Sequence, residues 1–543
     1  MSTPTERTQL LRKVVPTPVL TEPSLDPKPA VVDPRDLSKS TRTGILAGIW
    51  IATFLAALNT TLVATLLTSI SSTFSSSHSS SLLGTSYLLA HAAFTPLYGR
   101  LSNALGRRGA NQLALFLLFL GTLGCSLAPN MKWLVAARFI AGCGGGGSST
   151  TASIVTSDLY SLRRRSLTQG VATLFSGLGT GLGGPVGGWV GGRCGWRWAF
   201  GGQLPFFLLS YFFTQRYLHY TPPSLSSTPP SLRHTLTRLD YPGTLLLLLS
   251  ISSTLFSLTS QYSNDLPLSS LLVWAPAAVA GAGGIGFIAI ELKVAVEPVL
   301  DPRLLRMRIP VLVALSSFLV SMSNFAVIYF FPLWFEMVAG TSSAEAGLHL
   351  LPGSVWLSLG SLFAGYYLHK FGKYRTLSHL SGLLSFLSSL LLVRLSPQSG
   401  WTTKWLSIIP LGLGSSIVLQ TTFISLLLSV PPSQIATSTG FVQLFRGLGQ
   451  VTGVAGASAV FQSLLSRELV SRIHGSHAYS IIKEIRHNSH SISNLSPALQ
   501  KTVREAFGVA LGRVFLCAAG GLGLAVVVRM GVSFLLFLSL LFR

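Results

Sequence analysis

Charged side chains, and acids above all, are scarce in this sequence. Only 10% of its 543 residues are charged, against roughly a quarter in ordinary soluble domains. Asp and Glu total 16 while Lys and Arg total 39, so the formal charge is +23. In a soluble chain that surplus would point to nucleic acid as partner. The mean hydropathy of +0.56 instead excludes a soluble globular fold, and we expect a lipid-embedded protein with no nucleic-acid partner.

Cysteine is equally scarce, with four residues and no C-x-x-C pair. This spacing excludes a zinc site and a disulfide framework. The apolar runs also lack a clustered nucleophile, a set of metal ligands or a pair of carboxylates. We therefore expect no enzyme activity, no cofactor and no metal.

Long hydrophobic runs make up most of the chain. Fourteen runs of about 20 residues, the length that crosses a bilayer as a helix, alternate with short polar loops and group as six, two and six. The sequence predicts an all-α polytopic membrane protein with two six-helix bundles and two extra helices. The predicted boundaries are a disordered cytosolic tail at 1–43, an N-terminal bundle at 44–218, a cytosolic linker at 219–241, two additional helices at 242–290, a C-terminal bundle at 309–528 with a long lumenal loop at 466–506, and a C-terminal tail at 529–543.

The positions of Lys and Arg predict the orientation, because cytosolic loops carry an excess of both. They concentrate in alternate short loops, for example at 107–108, 163–165 and 370–375. Both termini are therefore predicted to be cytosolic. The basic loop at 466–506 breaks this rule, and it contains Asn494 in a sequon, a glycosylation candidate compatible with a lumenal position.

The loop between the second and third runs reads G-R-L-S-N-A-L-G-R-R. It resembles the loop signature G-x-L-x-D-x-x-G-R-R/K of the major facilitator superfamily. The resemblance implies a gating loop, in which Gly99 and Gly106 allow a tight turn and Arg107 and Arg108 form a latch that breaks as two halves rock. Asn103 stands where the family has Asp, so one charge of that latch is missing. A simple basic stop-transfer loop is the alternative.

Later segments carry further matches. Run five reads G-L-G-T-G-L-G-G-P-V-G-G, similar to the antiporter motif of the family at Gly181, Gly184, Pro185 and Gly188. Small residues at this density let helix backbones touch. W-R-W-A-F after run five is similar to the fourteen-spanner drug:proton antiporter group. Within that group, S-D-L-Y-S-L-R-R-R ending run four, together with G-G-P-V-G-G, looks most like the fungal vacuolar basic amino-acid permeases.

Another glycine-rich segment, residues 142–147, superficially resembles a phosphate-binding loop. No lysine follows it and it lies inside an apolar run, so helix packing is the better interpretation.

No acid lies at the centre of a predicted run, although ionisable groups within a membrane are costly and usually functional. Asn59 replaces the Asp that the antiporter group commonly has in run one, and an amide cannot carry a proton. His91 is the sole histidine well inside a run, and it is either a proton carrier or a neutral ring satisfied by a hydroxyl. Asp158 and Glu336, at opposite ends of the pathway, are either gate or binding carboxylates or ordinary interfacial charges.

Two arginines, Arg138 and Arg446, lie inside runs and must find carbonyl, amide or bound carboxylate partners. The candidates for transport and coupling are these six polar or ionisable residues: Asn59, His91, Arg138, Asp158, Glu336 and Arg446. Tyr87 shares a helical face with His91, and Gln443 and Gln450 share one with Arg446, so these faces are expected to line a central cavity. Asn324, Tyr329 and Gln420 are further candidates to line it, with core packing as the alternative for each.

These features predict a proton-coupled secondary active transporter that works by alternating access, a monomer in the bilayer that moves a small-molecule substrate and protons. The resemblance implies basic amino acids carried into the vacuole by antiport, and a dileucine-like motif at residues 6–11 favours the vacuolar membrane. One alternative is a multidrug or toxin efflux transporter at the plasma membrane. The other is a non-transporting nutrient sensor on the same fold.

Overall fold

The computed structural model describes residues 37–74, 80–160, 162–220, 240–262, 266–267, 269–294, 302–371, 375–430, 435–474, 478–487 and 495–541. All regular structure within these ranges is helical. Helices suit the apolar runs because backbone N–H and C=O groups have no water to bond inside a bilayer and must pair within the segment itself.

The N-terminal half consists of seven helices, two of which share the sixth predicted run. They are α1 Lys39–Phe74, α2 Ser80–Ala104, α3 Gly106–Ser126, α4 Met131–Leu159, α5 Leu162–Cys194, α6 Trp196–Gly201 and α7 Leu204–Tyr217. A hairpin of two helices follows, α8 Tyr241–Tyr262 and α9 Leu271–Lys293. It packs against both α2 and α17, a helix of the C-terminal half, and so bridges the two halves.

The C-terminal half includes a π-helical turn, Phe335–Ala339, at the end of its first long helix. Its α-helices are α10 Pro302–Arg306, α11 Arg308–Trp334, α12 Ser343–Leu348, α13 Leu351–Phe371, α14 Arg375–Val393, α15 Trp401–Leu406, α16 Ile409–Ser429, α17 Ile435–Arg472, α18 Ala478–His487 and α19 Pro497–Leu541. We call the end of the molecule that carries Arg107 and Arg108 the basic face, and the other end the opposite face.

Ten helical segments of the described residues are long and apolar enough to cross a membrane. The other four predicted runs are helical as well, as α2, α4, α5 and the pair α6 and α7, but they are not among those ten. The helical membrane fold is therefore confirmed, and the total of fourteen spans stays a prediction.

Three predicted boundaries differ from the structure. The sixth predicted run, residues 198–218, is broken into two helices, because α6 ends at Gly201 and α7 begins at Leu204. The helix of the last run does not end at residue 528, because α19 continues to Leu541 and buries Arg529 with 3% exposure. Residues 39–43, predicted within the tail, begin α1. The rest of that tail up to residue 36, and 221–239 of the linker, lie outside the described residues.

The basic loop at 466–506 is partly helical. Its first residues extend α17 to Arg472, and α18 packs Ile482 and Ile485 into the core of the C-terminal half. Nε of Arg472 binds Glu468 at 2.9 Å and its Nη1 binds Glu505 at 3.2 Å. Part of the excess positive charge of this loop is therefore paired within the loop itself. Asn494 lies outside the described residues.

The two halves meet along α5, whose glycines allow backbone contact on two sides. Gly183 lies against Thr61 of α1, so this side of α5 packs within its own half. Gly181 contacts Ser354 of α13, and a Cβ atom at Gly188 would lie 2.7 Å from Cα of Ala344 in α12. Small residues are what bring helices this close in a membrane.

We expect Gly188→Val to force α5 away from α12 and to lower the free energy of unfolding by about 1–3 kcal/mol, as overpacking usually does. Gly192→Val is the matched control, because nothing lies within 4 Å of the added Cβ at that position on the same helix. Unfolding of both purified variants in detergent checks this. Equal stability of the two variants would contradict the contact.

Candidate functional site

Arg138 of α4 lies in the core of the N-terminal half, with 0% exposure. Its Nε donates to the carbonyl oxygen of Leu83 at 3.2 Å, and its Nη1 donates to Oδ1 of Asn59 at 3.4 Å. The guanidinium carbon lies 4.4 Å from the centroid of the Tyr87 ring. The predicted carbonyl and amide partners of this arginine are thus present, and the aromatic face adds a cation–π contact.

A chain of amides holds Asn59 in place. Its Nδ2 donates to Oε1 of Gln203 at 2.7 Å, and Nε2 of Gln203 donates to the carbonyl oxygen of Ala199 at 2.8 Å. The break between α6 and α7 places Gln203 at this point. Because both amides donate away from Arg138, the oxygen of Asn59 is left to accept from the guanidinium. Asn59 therefore solvates a buried charge without itself being charged.

Tyr87, predicted to line a cavity, is instead fully buried. Its hydroxyl donates to the carbonyl oxygen of Ala56 at 2.9 Å, and its ring packs over Gly145 of α4. Tyr98, which is also on α2, packs in the same way over Gly147 of α4. The glycine run 142–147 therefore serves helix packing, as its position in an apolar run predicts, and α2 packs against it.

His91 of α2 and Arg446 of α17 lie near each other at the seam between the halves, and both are half-buried. The two helices that carry them touch, since a Cβ atom at Gly447 of α17 would lie 2.6 Å from Cβ of Ala92 in α2. Nε2 of His91 also lies 3.4 Å from Oγ of Ser149. The predicted hydroxyl neighbour is therefore present, but a cation is present as well.

The remaining cavity candidates divide into two pairs and a single residue. Gln443 and Gln450 are half-buried on the same face of α17 as Arg446. Asn324 and Gln420 are buried, with 7% and 8% exposure, on α11 and α16. Tyr329 crosses the seam, where its hydroxyl donates to the carbonyl oxygen of Thr60 at 2.7 Å.

The predicted latch forms at the basic face within the N-terminal half. Nε of Arg107 donates to Oδ2 of Asp158 at 2.8 Å, and both side chains are largely buried. The turn before Arg107 has Gly106 at φ +73°, a left-handed conformation that favours glycine. Asn103 lies in the last turn of α2 and Gly99 one turn earlier. The carboxylate that the signature lacks at Asn103 is supplied to Arg107 from α4.

Two further groups complete this latch. Tyr220 donates from its hydroxyl to Oδ2 of Asp158 at 3.1 Å. Burial, followed by the charge of Asp158, raises the pKa of Tyr220, so the phenol stays protonated and remains a donor. Arg108 contacts Oε1 of Gln215 at 3.2 Å and the ring of His219. The latch thus joins α3, α4 and the end of α7.

Glu336 lies apart from these clusters, toward the opposite face. It is half-buried in the π-helical turn that ends α11, and Gly340, at φ +73°, closes that turn. The role of Asp158 and Glu336 at opposite ends of a transport pathway stays a prediction.

The family follows from comparison with known proteins. The profile described as Major Facilitator Superfamily matches residues 49–454. The chain belongs to the major facilitator superfamily. A solved structure of a bacterial homologue of the human lysosomal transporter Spinster, inward-facing and occupied, covers 92% of this chain and 98% of its own with a TM-score of 0.59. At 15% identity this likeness concerns the fold alone.

Curated relatives within the superfamily carry names of two kinds. The multidrug resistance protein fnx1 of Schizosaccharomyces pombe is 32% identical over 88% of this chain and 89% of its own length. The vacuolar basic amino acid transporter 2 of Saccharomyces cerevisiae is 30% identical over 80% of this chain and 93% of its own. This major facilitator protein is therefore an integral membrane transporter of small molecules and not an enzyme.

The sequence did not identify three of the groups at these sites. Ser149 beside His91 and Tyr220 beside Asp158 carry no local signal, since both contacts span more than fifty residues. Gln203 belongs to a recognisable segment after run five, but its contact with Asn59 depends on the break between α6 and α7.

We expect Asp158→Asn to lower the free energy of unfolding by about 3 kcal/mol, because it removes the carboxylate that lies 2.8 Å from Nε of the buried Arg107. Glu468→Gln removes the exposed partner of Arg472 and is expected to cost less than about 1 kcal/mol. Denaturant unfolding of the purified variants measures both. Equal losses of unfolding free energy in the two variants would show that burial of the Arg107–Asp158 pair does not contribute to stability.

Asn59→Leu leaves Nη1 of Arg138 and Oε1 of Gln203 without their partner, so we expect a loss of at least about 3 kcal/mol of unfolding free energy. Asn59→Asp keeps an acceptor next to Arg138 but removes the N–H that Oε1 of Gln203 accepts, so we expect a smaller loss of about 1–2 kcal/mol. The same unfolding measurement compares them. A stable leucine variant would refute the role of Asn59 as a structural amide.

Proposed function

We propose that the chain is a proton-coupled secondary transporter that works by alternating access as a monomer and moves basic amino acids into the vacuole by antiport. The observation that carries this proposal is the position of half-buried His91 and Arg446 on two helices, α2 and α17, that touch at the seam between the halves. The 30% identity to a vacuolar basic amino acid transporter supports the substrate class and the membrane.

Arg446 supplies the group that recognises a carboxylate. Guanidinium presents donors in a fork that matches a carboxylate, and the amides of Gln443 and Gln450 lie on the same half-buried face of α17. An amino acid would bind its carboxylate there. Arg138 is less accessible for this role, because it is fully buried and its Nε and Nη1 already serve Leu83 and Asn59.

His91 supplies the exchange with the proton. The ammonium of an amino acid is attached to the same carbon as its carboxylate, so binding at Arg446 brings it next to His91. A neutral imidazole accepts a hydrogen bond from ammonium, whereas an imidazolium repels it. Proton and solute then exclude each other at one site, which is the requirement for antiport.

Alternating access would use the contacts on either side of this site. The glycine contacts of α5 with α12 and α13 let the halves rock without separating. Asp158 at the basic face and Glu336 at the opposite face are the carboxylates that a basic side chain would meet on leaving the site. Release of Arg107 from Asp158 would accompany opening at the basic face.

Efflux of a drug or toxin at the plasma membrane is the second candidate. The 32% identity to a multidrug resistance protein favours it. The fully buried cation Arg138 in the core of the N-terminal half also suits solutes other than basic amino acids. A nutrient sensor would bind the amino acid without flux.

Reconstitution into liposomes tests these functions. Radiolabelled lysine should accumulate in liposomes with an acidic lumen, and an uncoupler should abolish accumulation. We expect His91→Gln to reduce accumulation at least about fivefold while retaining lysine-for-lysine exchange, because the carboxylate site remains. His474→Gln, an exposed histidine outside the site, is the control.

Binding of lysine without flux would favour the sensor. Absence of lysine binding together with flux of a lipophilic cation would favour efflux. Proton-driven lysine flux that is unchanged in His91→Gln would reject His91 as the coupling residue while leaving the substrate intact.

A further inference from the structure

A groove of about 510 Å³ lies between α2, α4 and α8, away from the seam that holds His91 and Arg446. We call it the α4 groove. Its volume falls within the range of about 300–1,000 Å³ that is usual for ligand sites. The residues that line it are Leu82, Thr85, Ser86, Leu89, Lys132, Val135, Ala136, Phe139, Ile140, Ser252 and Leu255.

The walls of the α4 groove are mainly apolar. Most lining side chains are aliphatic or aromatic, and Ala136 and Ile140 are exposed on the outer surface of α4. The hydroxyl of Ser86 donates to the carbonyl oxygen of Leu83 within its own helix. A groove of this kind on the membrane-facing side of a bundle is solvated by hydrocarbon chains rather than by water.

One end of the α4 groove is cationic. Lys132 lies in the first turn of α4, where the helix dipole is also positive. Its neighbour Trp133 is 55% exposed and donates from Nε1 to the carbonyl oxygen of Gly124. An exposed tryptophan with its N–H satisfied at a helix end is typical of the membrane–water interface. Lys132 therefore lies at the level of lipid headgroups, with the apolar walls below it.

We propose that the α4 groove binds one anionic phospholipid, with an acyl chain along its apolar walls and the headgroup phosphate at Lys132. The cationic end of the groove at Lys132 matches the phosphate of such a lipid, and the apolar walls match its acyl chain. α8 forms one wall and belongs to the hairpin that also packs on α17. The lipid thus occupies the space between the N-terminal half and the hairpin of α8 and α9, which bridges both halves.

Native mass spectrometry of the full-length protein in mild detergent tests the site. After delipidation, phosphatidylglycerol, phosphatidylcholine or inorganic phosphate is added in equal amounts to separate samples. The parent should retain one lipid and prefer phosphatidylglycerol by about fivefold, the equivalent of about 1 kcal/mol for one lysine near an anionic surface. Lys132→Gln should abolish this preference, and Ala136→Phe, which fills the groove, should reduce retention of both lipids.

Two controls match these variants. Lys404→Gln removes a cation near the opposite face in the other half, and Ala278→Phe adds the same bulk to an exposed position of α9. Both should bind lipid as the parent does. Size-exclusion profiles establish that Ala136→Phe is folded, and the Lys132 variant decides the headgroup contact without changing the core.

Three results would overturn the proposal. The first is an unchanged lipid preference in Lys132→Gln. The second is equal retention by folded Ala136→Phe and Ala278→Phe. The third is retention of inorganic phosphate with no retention of lipid, which would mean an anion site without an acyl chain.

Discussion

Backbone contact along α5 is the constraint on which the arrangement of the two halves depends. Glycines on one side of this helix contact α1, and glycines on the other side contact α12 and α13. In lipid there is little hydrophobic drive to bring helices together, so close packing of small residues supplies the attraction. A narrow α5 can belong to one half and slide against the other, which a helix with large side chains on both faces cannot do.

Close packing also determines how the few buried charges are accommodated. Arg138 has neutral partners, because α1, α2 and α4 approach closely enough for an amide, a carbonyl and a ring to surround one guanidinium. Arg107 has a carboxylate partner, since its position at the basic face allows two ions to share partial hydration. The centre of the described N-terminal half therefore holds a solvated cation, and the ion pair lies at the edge, where rearrangement costs less.

Much of the fold could be predicted from local sequence. Apolar runs of bilayer length predict helices, and the glycine run of α4 predicts a packing face that the structure confirms. The carbonyl and amide partners of Arg138 also follow from the cost of an unpaired charge in a membrane. Tyr87 was predicted wrongly, because hydropathy does not report how far a helix is rotated. The break at 201–203 was missed because run length alone ignores the local signal of two glycines and Gln203 before Pro205. The continuation of α19 was missed because Arg529 interrupts the apolar sequence there.

The sequence by itself determined the class of protein, its family and the residue types available for transport, since these depend on composition, run length and ordered motifs. It also excluded a carboxylate at position 59. Only the tertiary structure decided which residues meet: His91 with Arg446, Asn59 with Gln203, and Arg107 with Asp158. Each pair joins different helices, so its formation depends on the depth, rotation and spacing of both, and these quantities are set by packing rather than by either helix alone.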